Sequence, residues 1–161
     1  MTLNDQNLET DNDPPAIQTQ YADLYDSAIT SLLTVPVTDE WVDTRDGETH
    51  VLTAGDPTAP PIVVFQGGNV TTPVTLAWVQ ELADDFYLIA PDTPGEPGKT
   101  SSETPHEYGP WVVDVLNGFG IDQAPMVGVS HGAGVLLEGA EYASDRIVAA
   151  ALIVPAGFGT P

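Results

Sequence analysis

Apolar side chains fall along this chain in two alternating rhythms, short unbroken runs and stretches in which they return every third or fourth position. The helical rhythm comes first: Ile17, Tyr21, Leu24, Tyr25, Ala28, Ile29, Leu32 and Leu33 share one face, so residues 17–33 are expected as a helix that Pro36 ends. Two strand-like pieces, 40–44 and 48–54, are joined by Arg45-Asp46-Gly47, where Asp-Gly marks a hairpin. After Pro60-Pro61 the run Ile62-Val63-Val64-Phe65 reads as a strand buried on both faces, and Gln66-Gly67-Gly68-Asn69 follows as a loop. The rest continues the alternation: helix 74–83, buried strand 86–90, a proline- and glycine-rich loop 91–105, helix 108–119, strand 124–129, helix 133–143 and an apolar strand 147–154. Strands alternating with helices predict an α/β architecture with a mostly parallel sheet flanked by helices. No internal repeat interrupts it.

Composition narrows this picture. The 161 residues, 42% hydrophobic and 17% charged, suffice for one domain with a real core. Residues 1–16 are polar and acidic and end in Asp13-Pro14-Pro15, so they are expected as a flexible acidic tail ahead of a domain spanning 17–161. Three Lys and Arg stand against 24 Asp and Glu, a formal charge of −21, which excludes nucleic acid or an anionic membrane bound through a basic surface. Such a charge repels itself in dilute buffer and is screened at multimolar salt, where the Debye length is about 3 Å or less. With the acidic residues spread along the whole chain, the expectation is a halophilic protein of a salty cytoplasm. The chain has no cysteine, hence no disulfide and no thiolate metal site, and no cofactor is expected. No apolar stretch approaches the ~18 residues that span a bilayer, and Met1-Thr2-Leu3-Asn4-Asp5 does not open a secretion signal.

The candidate chemistry centres on Gly128-Val129-Ser130-His131-Gly132, between an apolar run and a helical pattern. A serine on a sharp strand-to-helix turn is pushed into a strained conformation with close neighbours on either side, and Gly128 and Gly132 supply the room. The Ser130 hydroxyl would then stand above the strand's carboxyl end with the His131 amide aimed at the same space, a nucleophile beside an oxyanion donor. Gln66-Gly67-Gly68-Asn69, directly after another buried strand, can bring a second backbone donor to that edge. A rival class is phosphate binding, because Gly98-Lys99-Thr100 ends like a phosphate-cradling loop. That loop needs a glycine where this chain has Thr93 and an N–H where it has Pro97, and Pro105 breaks the helix that should follow.

Taken together, residues 62–68, the Asp92-Thr93-Pro94-Gly95-Glu96-Pro97-Gly98-Lys99-Thr100 loop, the serine turn and residues 152–157 resemble the α/β-hydrolase superfamily, in its esterase and lipase-like branch, over about residues 17–161. The resemblance implies a three-layer sandwich, a Ser130 nucleophile attacking an ester or similar acyl carbon, and oxyanion donors at the His131 amide and at Gly67 or Gly68. Where the family commonly has His-Gly, this chain has Gln66-Gly67. The family's acid and histidine follow the serine, yet residues 131–161 hold Asp145, Glu138, Glu141 and no histidine besides His131. Asp145 precedes the last strand, Glu138 and Glu141 lie within a helix, and His50 belongs to an early strand as a surface or satisfied residue. His106, on the same rim as Ser130 with Glu103 or Glu107 as orienter, is the candidate base. The expectation is therefore the amino-terminal half of such a hydrolase, an incomplete core and a poor enzyme alone. Three readings stay open: a split or truncated serine hydrolase completed by a second chain or a homodimer through the edge from Val148 to Val154, a self-sufficient hydrolase using His106, and a non-catalytic binding module. A small-molecule acyl substrate is implied in the first two.

Overall fold

A computed structural model describes residues 14–100 and 103–155; the acidic segment 1–13 and Gly157 lie outside the described residues. Six strands form one sheet in the order β1-β2-β4-β3-β5-β6. They are β1 (Val37–Thr44), β2 (Gly47–Ala54), β3 (Pro61–Phe65), β4 (Tyr87–Pro91), β5 (Ala124–Val129) and β6 (Ile147–Ile153), and the helices are α1 (Pro14–Leu32), α2 (Thr72–Leu76), α3 (Tyr108–Gly118) and α4 (His131–Tyr142). The β1–β2 hairpin and the β2–β4 pair are antiparallel, and β4, β3, β5 and β6 run parallel. The Asp-Gly turn forms as expected, with Thr44 opposite Gly47 and Gly47 at φ 111°.

Alternation along the central strands divides the core into two layers. Val51, Val63, Phe65, Ile89 and Met126 face α3 and α4, packing on Trp111, Val115, Val135 and Leu136. Their neighbours Leu52, Ile62, Val64, Leu88 and Val127 face the opposite way, toward Tyr25 of α1 and Leu76 of α2. Helices on both faces of a mostly parallel sheet make the three-layer sandwich.

Three elements differ from expectation. The helix expected over 74–83 is split into α2 and a 3₁₀ turn, Gln80–Asp84. The Gln80 side chain explains the break: its Oε1 accepts the Thr34 N–H at 2.7 Å, while its Nε2 donates to Leu32 O and Ala77 O, so the segment is bent to finish the end of α1. Strand β1 starts at Val37 rather than 40, because its polar residues sit on an exposed edge held by full register with β2. Helix α1 starts at Pro14, and Leu24, counted on its apolar face, is 64% exposed.

Candidate active site

Ser130 stands between β5 and α4 with φ 49° and ψ −109°, one of three non-glycine residues at positive φ among those described. Its side chain makes no capping bond to the helix, which leaves the half-buried hydroxyl uncommitted there. Its N–H donates to Ile153 O at 2.9 Å, tying the turn to the end of β6. The flanking glycines are required by close approach. A Cβ on Gly128 would lie 2.5 Å from Gly132 O and 2.6 Å from Ala133 Cα; one on Gly132 would run into Phe65 O and lie 2.5 Å from Gln66 O. The helix start is thereby pressed onto both β5 and the end of β3, bringing the serine turn beside the Gln66–Asn69 loop.

That loop is folded by its own buried polar groups. Gln66, fully buried, donates through Nε2 to Val70 O at 2.7 Å and Pro97 O at 3.0 Å, and its Oε1 accepts from Thr72 Oγ1 and Thr93 N–H. The glutamine in place of the family's histidine is thus fully bonded. Of the two candidate donors, Gly67 is buried and its N–H is spent on Thr75 Oγ1 at 3.0 Å. Gly68 is half-buried against the elbow, where a Cβ would meet His131 Cβ at 3.1 Å. The His131 ring leaves the turn toward the Tyr108 ring, edge-on at 5.6 Å, and toward Glu96, whose Oε1 is 3.6 Å from Nε2.

The histidine candidates divide clearly. His106 is exposed just before α3, and among the described residues no side chain hydrogen-bonds to it or pairs with it; Glu103 and Glu107 are exposed too. Glu138 is committed to the Tyr108 N–H at 2.9 Å, and Asp145 lies in the 3₁₀ turn before β6. His50 is no surface residue. It is fully buried, with Nδ1 2.9 Å from Asp92 Oδ2 and Nε2 2.7 Å from Asp39 Oδ1.

His50 belongs to a network that sequence reasoning missed. Buried Asp92 also accepts from Tyr25 Oη at 2.8 Å and from the Lys99 N–H at 2.7 Å, and it shares the one Thr72 hydroxyl proton with Gln66 Oε1. Burial, then the neighbouring Asp92 charge, pushes the Tyr25 phenol far above its ordinary value. Lys99 Nζ pairs with Asp39 at 2.8 Å and Asp26 at 2.9 Å, Thr100 Oγ1 accepts the His50 N–H, and a Cβ on Gly98 would strike the Asp92 carboxylate. The Gly98-Lys99-Thr100 segment therefore binds the protein's own aspartates, which replaces the phosphate reading. The one visible signal was Tyr25 on an apolar helix face, since a buried phenol needs a partner. Among the described residues no group of three or more His, Cys, Asp or Glu is placed to hold a metal, and no helix is long and apolar enough to cross a membrane.

The chain matches no family model. It is 27% identical over 141 residues to an uncharacterized carboxylesterase, Nap, of Bacillus subtilis, covering 85% of this chain and 47% of that protein. It is 31% identical over 129 residues to epoxide hydrolase A of Mycobacterium tuberculosis, covering 74% and 39%. The crystal structure of naproxen esterase from Bacillus subtilis superposes with a TM-score of 0.80 at 24% identity, over 92% of this chain and 53% of that one. The chain thus spans about half the length, or less, of these three proteins.

Proposed function

We propose that this chain, which has the α/β-hydrolase fold and is similar in sequence to a Bacillus subtilis carboxylesterase, is the nucleophile-bearing part of a serine hydrolase acting on an ester or similar acyl bond through Ser130. The observation that carries this reading is the strained Ser130 at the strand-to-helix turn, its hydroxyl free of capping duty. Ser130 Oγ attacks the acyl carbon and loses its proton to a base, and the carbonyl oxygen gains negative charge facing the amides of His131 and Gly68. Collapse expels the alcohol, reprotonated by the same base, and water then releases the acyl group from Ser130. Gly67 serves the loop rather than the oxyanion, since its N–H already bonds Thr75.

The base is the weak point of the isolated chain. His106 is exposed, and among the described residues nothing pairs with it or orients it, so turnover by this chain alone is slow or nil. A completing chain, or a second copy, seated on the free edge of β6 is where an acid and a histidine would come from. Among the described residues that strand pairs with β5 alone, and Val148 is 59% exposed. The working environment is a salty cytoplasm, given a net charge of −21. The same exposed His106 favours the second reading, a non-catalytic module that keeps the fold and binds a small ligand.

Intact-mass detection of a fluorophosphonate adduct in multimolar KCl tests the proposal, with Ser130→Ala as control. An adduct lost in the control supports an activated Ser130, and His106→Ala then asks whether the activation is internal. No adduct on folded wild-type chain means that these residues alone do not activate the serine, and a ligand bound without being consumed would favour the binding module.

A further inference from the structure

We propose that Glu96 is a positioning residue that locks the oxyanion loop onto the serine turn and so fixes where the Gly68 amide stands relative to that of His131; this rests on the Ser130 reading above. In a chain with 24 acidic residues, Glu96 is unusual in being turned inward, its side chain only 16% exposed. One carboxylate oxygen, Oε2, accepts the Asn69 N–H at 2.6 Å. Asn69 sits at φ 59°, a left-handed conformation that a side-chain-bearing residue holds only at a cost, and a bond to an ionised acceptor is of the stronger class that can hold it. The other oxygen, Oε1, faces His131 Nε2 at 3.6 Å, and that nitrogen is buried without a hydrogen-bond partner. Gly68 lies where these groups meet: a Cβ there would be 3.1 Å from His131 Cβ and 3.7 Å from Glu96 Oε1.

Glu96 is itself anchored on both sides. Its N–H donates to Thr93 O at 3.0 Å, the next residue's carbonyl, Pro97 O, accepts from Gln66, and Tyr108 Oη donates to Pro94 O at 3.1 Å while its ring backs His131. The carboxylate thus joins three segments far apart in sequence, the oxyanion loop, the 92–100 loop and the start of α4. An oxyanion donor displaced by 1 Å costs up to about 100-fold in rate, so a tether of this kind matters to chemistry beyond its share of stability. The negative charge works against the oxyanion it helps to position. Glutamine keeps the acceptor and the reach without that charge, which separates positioning from electrostatics by sign.

The test is the second-order rate of fluorophosphonate labelling of the full chain in multimolar KCl for wild type, Glu96→Ala, Glu96→Asp and Glu96→Gln, with melting temperatures alongside. Positioning predicts labelling slowed roughly 10-fold or more in the alanine and aspartate variants, and a glutamine variant at or above the wild-type rate. Alanine labelling as fast as wild type, or glutamine as slow as alanine, overturns it; if alanine fails to fold, aspartate against glutamine decides. Should wild type itself give no Ser130-dependent adduct, these residues alone do not activate the serine, and amide hydrogen exchange judges the lock separately. It stands if exchange at Asn69 accelerates about 10-fold in Glu96→Ala and not in Glu96→Gln, and falls otherwise.

Discussion

A serine at φ 49° costs roughly 1–3 kcal/mol, and the residues around Ser130 hold it there from every side. Its N–H is bound to β6, its carbonyl accepts from Ala133, and the helix it starts is pressed onto two strands. Neither Gly128 nor Gly132 is at positive φ; the serine carries the strain, and the glycines serve close approach. Gly132→Ala should therefore destabilise by about 2–3 kcal/mol or more, because the added methyl meets two backbone carbonyls that cannot turn aside. Gly120→Ala is the contrast: φ is 65° but nothing lies within 4 Å of the added carbon, so only about 1 kcal/mol is expected. Urea unfolding of the two variants in the same salt checks the order, and equal losses would refute the close-approach account. The glycines were legible at sequence level as a spacing, but what they approach was not, since Phe65 and Gln66 are remote in the chain.

Between elements, the chain's three basic residues are all used as staples. Arg45 in the hairpin turn holds Asp114 of α3 through two hydrogen bonds of 2.7 and 3.0 Å, Lys99 joins α1 and β1, and Arg146 bonds Asn117, Ile121 O and Asp122 O. The hydrogen bonds from Arg45 hold the Asp114 carboxyl below its ordinary range, outweighing the opposing effect of burial. For Asp39, burial opposes ionisation, but hydrogen bonds from Lys99 and His50 outweigh it and lower it as well. A carboxyl whose folded value is depressed adds stability that is fully present above its unfolded value, about 3.9, and is lost as pH falls through the folded value. Stability should accordingly drop below about pH 4, and Arg45→Gln should flatten the part of that drop belonging to Asp114. Urea midpoints from pH 7 down to pH 3 measure it; an unchanged slope in the variant would show that Asp114 contributes nothing.

Over the whole molecule, salt acts in two directions. It weakens the ion pairs of Arg45 and Lys99, and it screens repulsion among the excess of carboxylates. These two groups of ion pairs are in contact at 2.7–2.9 Å, each with one side chain mostly buried, so screening reaches them least. The repelling charges are mostly exposed and farther apart, where a Debye length falling from about 10 Å at 0.1 M to 3 Å at 1 M removes most of their interaction. The melting temperature should thus rise as KCl increases from dilute to multimolar. A thermal melt series that falls with salt would show the ion pairs to dominate and remove the argument for halophily.

What the sequence determined by itself was everything set by local rhythm and sterics: the alternation of strands and helices, the Asp-Gly hairpin, the serine turn with its two glycines, and the acidic excess. Hydrophobic period and glycine placement are short-range constraints, readable within a window of a few residues. Tertiary structure alone decided which polar groups meet. His50, Asp92, Lys99, Asp39 and Tyr25 converge from elements spread over more than seventy residues, Gln80 breaks a helix to finish another, and Glu96 reaches the Gln66–Asn69 loop and the serine turn together. Such pairings have no period in the sequence, because a buried polar group is satisfied by whatever partner the packing brings within about 3 Å, however distant it is along the chain.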